Sequence, residues 1–270
     1  MCDNYYIICN HSVYKYMEDY ILSFYKKINA KIIIYDNSFS NIPEINNINI
    51  YIFVQSIPDE LLSNINNNIN NIYLINTEQL SYKKHYDRIN EYPKYIKMLD
   101  YSMANLKYYD KKYYTKFLSY QINYDEIYNL HKTKDICIMS GESENRTYII
   151  NQIISKGYNI DIISGWKQER DLQLFTYKIL LNVSYEKDYK IFEPLRCDRC
   201  IFNKMIVISD NKEDIDLYNL KDYMIFEEYN NLANKVIEVF NNYDTYYKKL
   251  GLDILNLETL ENLHIEPISL

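Results

Sequence analysis

The residues best placed for chemistry gather between positions 135 and 211, where short apolar runs hand over to polar loops and amphipathic stretches. Residues 135–141 form an apolar run ending in small side chains, and the polar 142–146, closing on Arg146, leads into the apolar-periodic stretch 147–156. Further on, 179–183 passes through the polar segment 184–190 to a helix that opens with Glu193 and carries Arg196 one turn later. An apolar run at 205–209 closes the unit. Free amides at a helix N-terminus and a nearby guanidinium both donate to anionic oxygens, so such junctions suit a phosphate. This half of the chain therefore reads as a holder of a phosphorylated ligand. In the other half, His11, Glu78 and Asp100 each stand at or just past the end of an apolar run. An imidazole or carboxylate there has the chemistry of a proton acceptor.

The elements that must position these groups alternate along the whole chain. Short β-branched runs at 5–9, 31–35, 49–54, 71–76, 95–99 and 116–120 read as strands. Helices are expected at 12–28 with Ser12 as N-cap, after Pro58, at about 79–91 and at 102–112. The polar segment 121–133 holds no strand pattern and marks a domain boundary. Strands follow at 135–141, 159–164, 179–183 and 205–209, and a long helix at about 230–250 is followed by a short one after Gly251. Strands alternating with helices imply parallel pairing and a doubly wound sheet. The fold expected is α/β, with two Rossmann-like domains, 1–121 and 122–270, facing across a cleft; the last helices can pack back on the first domain. A single sheet of about a dozen strands is the alternative, and it exceeds the usual size. In open parallel sheets ligands sit outside the carboxyl ends of the strands, where His11, Glu78, Asp100 and the Arg146 loop are all expected.

Composition removes several classes of function. At 270 residues with 47% hydrophobic side chains the chain can build a real core. A formal charge of -7 speaks against generic binding of nucleic acid or anionic membranes, which need a basic face. No apolar run is long enough for a transmembrane helix and no signal-peptide pattern opens the chain, so a cytoplasmic protein is expected. Five cysteines without framework spacing fit a reducing compartment. Cys197 and Cys200 form a lone CxxC on an expected helix; zinc would need two further ligands, so helix packing is the better account. The four glycines supply neither GxGxxG nor P-loop spacing. With 32 tyrosines against 9 phenylalanines, single tyrosines carry little meaning.

Several segments, taken in order, resemble the compact two-domain GT-B glycosyltransferases of the family-4-like kind found in bacterial surface-sugar clusters and large DNA viruses. They are 73–80 (YLINTEQL), 97–105 (KMLDYSMAN), 135–141 followed by Asn145 and Arg146, 180–185 (LLNVSY) and 192–197 (FEPLRC) leading into 206–209 (IVIS). The resemblance spans roughly residues 70–210. It implies a C-terminal domain that binds a nucleotide sugar and an N-terminal domain that binds the acceptor.

Carried over by that resemblance, Glu193 matches the glutamate that bonds the nucleotide ribose, and Arg196 the arginine that follows it. The plain reading of this pair is a first-turn carboxylate in an intrahelical ion pair. Ser140, Gly141, Asn145 and Arg146 fall in the loop where the family binds the diphosphate, and Asn182 and Tyr185 complete the donor set. The plain reading of Arg146 is a solvated charge near a helix start, opposing the dipole. Glu186 lies seven positions before Glu193 where relatives often keep eight, and it reads as a surface charge. His11 falls where inverting GT-B enzymes often place a general-base histidine. Asp100 reads most simply as an N-cap, although the matching segment in relatives lines the cleft, and Glu78 is weighed in the same way. No DxD-like pair of carboxylates stands where a donor's Mg²⁺ would sit, so the transfer is expected to need no metal and no cofactor beyond the nucleoside-diphosphate sugar itself. The expected partners are that nucleotide sugar and a glycan or glycoconjugate hydroxyl, with no nucleic acid and no integral membrane segment. A protein that kept the fold but only binds a nucleotide or glycan is the alternative, because fold alone does not give turnover.

Overall fold

A computed structural model describes residues 4–36, 39–65, 68–139, 141–256 and 258–260. The chain divides into two compact units at Gln121/Ile122. In the first, β1 (Tyr5–Asn10), β2 (Ala30–Tyr35), β3 (Ile50–Val54), β4 (Ile72–Asn76), β5 (Lys97–Asp100) and β6 (Thr115–Phe117) form one sheet in the order β2-β1-β3-β4-β5-β6. Every pairing is parallel. The central strands β3 and β4 are buried along their whole length, which is why their sequences are near-continuous Ile, Tyr, Phe, Leu and Val. α1 (His11–Tyr25) buries Val13, Met17, Tyr20, Ile21 and Phe24, the stripe that helical spacing produces.

The second unit repeats the plan. β7 (Lys134–Met139), β8 (Asp161–Ile163), β9 (Tyr177–Asn182), β10 (Ile206–Asp210) and β11 (Ile225–Glu227) pair in parallel in the order β11-β10-β9-β7-β8. α4 (Glu144–Ser155), α5 (Lys167–Leu174), α6 (Pro194–Phe202), α7 (Leu232–Asn241) and α8 (Tyr243–Lys249) complete it, after α2 (Asp59–Asn64) and α3 (Lys83–Asn90) of the first unit. Both sheets are thus doubly wound in the sense expected. In each, chain order reverses beside the first strand, between β1 and β3 and between β7 and β9. A crevice opens at such switch points beyond the carboxyl ends of the strands.

Several local expectations are corrected. Asn10, not Ser12, caps α1: its side-chain oxygen accepts the Ser12 amide at 2.9 Å and the Ser12 hydroxyl at 2.6 Å. α3 starts at Lys83 rather than 79, because the Leu80 amide is already taken by Asn105 Oδ1 at 2.9 Å. The helix expected at 102–112 is a short 3-10 turn, Met103–Tyr108. The long helix expected at 230–250 breaks at Asn242, whose side chain bonds back to the Glu238 carbonyl at 2.9 Å and competes with the helical ladder. β11 was not anticipated, since three residues leave too short a pattern. The CxxC cysteines are fully buried in α6, where burial pushes both thiols up. Among the described residues no helix is long and apolar enough to cross a membrane.

Candidate functional site

The second unit's switch point holds most of the residues expected to bind a donor. β7 ends at Met139, Ser140 lies outside the described residues, and Ser143 caps α4, its Oγ accepting the Arg146 amide at 3.3 Å. Arg146 is only 2% exposed, so the reading as a solvated charge is wrong. Its Nε donates to the Val183 carbonyl at 2.8 Å and its Nη1 to the Gly141 carbonyl at 3.0 Å. The guanidinium thus ties the end of β9 to the loop after β7. Its Nη2 is buried and has no partner. Removing the side chain would leave the buried Val183 carbonyl, and the Gly141 carbonyl beside it, without this donor.

Asn145 is also buried. Its amide donates to the Ser184 carbonyl at 2.8 Å while its Oδ1 finds no partner. Tyr185 lies with its ring centroid 5.4 Å from the Arg146 guanidinium carbon, in cation–π range, and is itself exposed. Asn182 is buried and spends its amide on Ser209 Oγ at 3.0 Å, bridging β9 to β10. That contact gives it a structural duty beneath the crevice.

α6 begins with Glu193 as N-cap residue and Pro194 in the first turn, where its missing amide costs nothing. The Glu193 side chain caps nothing and stands 3.7 Å from Arg196 Nη2, both part-exposed. The intrahelical ion pair exists, and it leaves both groups open to solvent. Burial first, and then the positive charge of Arg196, lower the Arg146 guanidinium to about 10, with Glu193, Tyr185 and Asp210 pulling the other way. Two guanidiniums within electrostatic reach, one carrying a buried donor without a partner, form a site that an anion would relieve.

Sequence reasoning missed Asp210 and Lys212. Asp210, at the end of β10, accepts the Ser184 amide at 3.3 Å and pairs with Lys212 Nζ at 2.5 Å, both side chains buried. Lys212 also donates to the Tyr189 carbonyl at 2.9 Å, so the pair fixes the 184–190 loop beside the crevice. A carboxylate closing a strand one position after IVIS was the signal available.

In the first unit the three proton-acceptor candidates have different settings. His11 is exposed and is the first residue of α1, at the carboxyl end of β1 beside the switch point. Asp100 is fully buried. Its Oδ1 accepts the Ser102 amide at 2.8 Å and Asn105 Nδ2 at 2.9 Å; its Oδ2 accepts Asn76 Nδ2 and the Tyr109 hydroxyl, both at 2.7 Å. Burial raises this carboxyl to about 7 against the pull of those donors. The N-cap residue of the 3-10 turn is Ser102, with no side-chain cap bond, so the reading of Asp100 as an N-cap is corrected: its carboxylate accepts the Ser102 amide from two residues earlier and ties β4 to β5 through Asn76. Glu78 lies just past β4, accepting Gln55 Nε2 at 2.6 Å and standing 3.5 Å from His85 Nδ1.

No protein-family model matches the chain. It is similar to mimivirus proteins of Acanthamoeba polyphaga mimivirus. The one called "Uncharacterized protein L140" is 31% identical over 252 residues, 88% of this chain and 80% of that relative. "Uncharacterized protein R358" is 26% identical over 272 residues, 94% of each. "Uncharacterized protein L137" is 32% identical over 276 residues, and the chain spans only 36% of its length. Among solved structures, TarM matches over 86% of this chain and 54% of its own, with a TM-score of 0.54 at 15% identity, a likeness of fold alone. T4 phage BGT, solved with its UDP-glucose substrate, covers 96% of the chain at a TM-score of 0.49 and 12% identity, too low to carry an inference.

Proposed function

The chain belongs to the family of the mimivirus protein L140, and we propose that it is a glycosyltransferase that moves a sugar from a nucleoside-diphosphate donor to a hydroxyl of a glycan or glycoconjugate. The observation that carries this reading is Arg146: a buried guanidinium with a free Nη2, set beside Arg196 and Glu193 at a switch point. A departing nucleoside diphosphate develops negative charge, which two guanidiniums and the amides of α4 would stabilise. The Glu193 carboxylate, part-exposed at the mouth of α6, suits the two vicinal hydroxyls of a ribose. In the transfer the acceptor oxygen bonds to the anomeric carbon and the bond from that carbon to the diphosphate oxygen breaks. In an inverting reaction the hydroxyl proton passes to a base, for which exposed His11 is the leading residue.

A thermal-shift screen against nucleoside diphosphates and their sugars tests the reading. At a hundredfold excess over Kd, binding to the folded state alone stabilises by about 2.7 kcal/mol, which is readily seen. Release of free sugar from the donor that shifts the chain most then separates a transferase from a protein that only binds. No shift with any nucleotide would remove the proposal.

A further inference from the structure

The carboxyl end of the first sheet holds a further guanidinium, outside the donor site. Arg88, on α3, has Nε and Nη2 buried without a hydrogen-bond partner, and no carboxylate of the described residues pairs with it. These two nitrogens form one edge of the guanidinium, whose parallel N–H bonds match the two oxygens of a carboxylate or phosphate. A charged donor edge shut away from water with nothing to bond is costly, and native chains keep such groups for a ligand, an ion or a bound water.

The surroundings point to a hydroxylated ligand. His85 precedes Arg88 by three residues on the same face of α3 and stands beside Glu78. Glu78 is held by Gln55, and Gln55 in turn accepts the hydroxyl of Tyr16 at 2.6 Å. Gln55 has φ +68°, a left-handed backbone that a glutamine adopts only under constraint. The buried Thr77 hydroxyl beside Glu78 also lacks a partner. Arg88 lies close enough to hold down the phenols of both Tyr16 and Tyr92, against the larger effect of burial. Carboxylate, amide and phenol side by side are the groups that bind sugar hydroxyls.

We propose that this end of the first sheet binds an acidic sugar, its carboxylate or phosphate seated on the Nε/Nη2 edge of Arg88 and its hydroxyls on Glu78, Gln55 and Tyr16. That the acidic sugar is the acceptor rests on the glycosyltransferase reading; that it binds does not.

The test is calorimetric titration of the full chain with glucuronate, glucose 6-phosphate, glucose and inorganic phosphate, with a nucleoside diphosphate titrated into the same preparations. At least one acidic sugar should bind about tenfold or more tighter than glucose, the scale of a charge-assisted contact. Glucuronate ahead of glucose 6-phosphate identifies a carboxylate, and the reverse a phosphate. Arg88→Gln should abolish the preference and Arg88→Lys, which keeps charge but loses the edge, should retain only part of it. Equal binding of acidic and neutral sugars overturns the inference and leaves the edge to a water molecule. So does inorganic phosphate binding as tightly as glucose 6-phosphate, since the hydroxyls would then count for nothing. Should the Arg88 variants fail to fold, the comparison in the parent chain decides alone. Loss of nucleotide binding with the acid preference intact sinks the donor reading only, and the converse sinks only this one.

Discussion

Arg146 and Arg196 carry the same charge in the same crevice, but burial gives them different duties, so their variants should part company. Arg196→Ala removes a part-exposed side chain whose contact is a surface pair with Glu193. Its urea midpoint should hardly move, within about 0.5 kcal/mol, while nucleotide affinity falls roughly ten- to hundredfold. Arg146→Ala should lower affinity by a similar factor and also destabilise by about 1–3 kcal/mol, because the carbonyls of Val183 and Gly141 lose their donor. Isothermal titration and urea unfolding on both variants check this. Equal stability of the two would mean that Arg146 does not hold the β7 and β9 loops together. The type of residue was legible in the sequence, and so was its place in a strand-to-helix loop. Its burial was not, because Arg146 is covered by the 183–185 segment, nearly forty positions away, and no local pattern announces such a contact.

At the scale of the element, strands were the easiest feature to read. The run from Ile50 to Val54 has no other stable home than a buried parallel sheet, and Ile32-Ile33-Ile34, half-buried on the edge strand, reads as a strand from its β-branched side chains. Helix ends were harder, since each depended on a partner distant in sequence: Asn105 for the start of α3, Tyr109 reaching Asp100 for the early end of the 3-10 turn. α6 shows the same limit with a measurable consequence. Asp198 faces inward, fully buried with the Tyr218 hydroxyl as its partner, and burial raises its carboxyl to about 8. In the unfolded chain an aspartate titrates near ~3.9. Between those values the folded state binds the extra proton, so its contribution to stability is full at acid pH and is lost as pH rises through about 8. Asp100, raised to about 7, acts in the same direction. Asp198→Asn keeps an acceptor for Tyr218 without the charge. Relative to the parent it should gain stability steadily from pH ~4 to ~8, by a few kcal/mol in all, read from urea midpoints across that range. A difference between the two that does not change with pH would mean that Asp198 titrates in the fold as it does in the unfolded chain, as a solvated carboxylate.

For the whole molecule, the division of the chain separates two chemistries. Every group of the proposed donor site, from Gly141 to Lys212, falls in the second unit, whereas His11 and Glu78 fall in the first. Nucleotide affinity should therefore be indifferent to changes at His11, and turnover should not. Asp100 drops out as a base despite its raised carboxyl: four donors surround it and no face is open to a substrate. Glu78 is engaged by Gln55 and His85, while His11 is exposed at the first turn of α1, beside the switch point of its sheet. Loss of a general base typically lowers turnover by about 10²–10⁴. His11→Ala should show a fall of that size in sugar transfer, with the Kd for the nucleoside diphosphate unchanged by titration and the urea midpoint near the parent's. Nearly normal turnover in His11→Ala would pass the role to Glu78, and Glu78→Gln would then be the variant to fall. If neither variant slows transfer, the first unit supplies no side-chain base, and the reaction is of the retaining kind, which requires none.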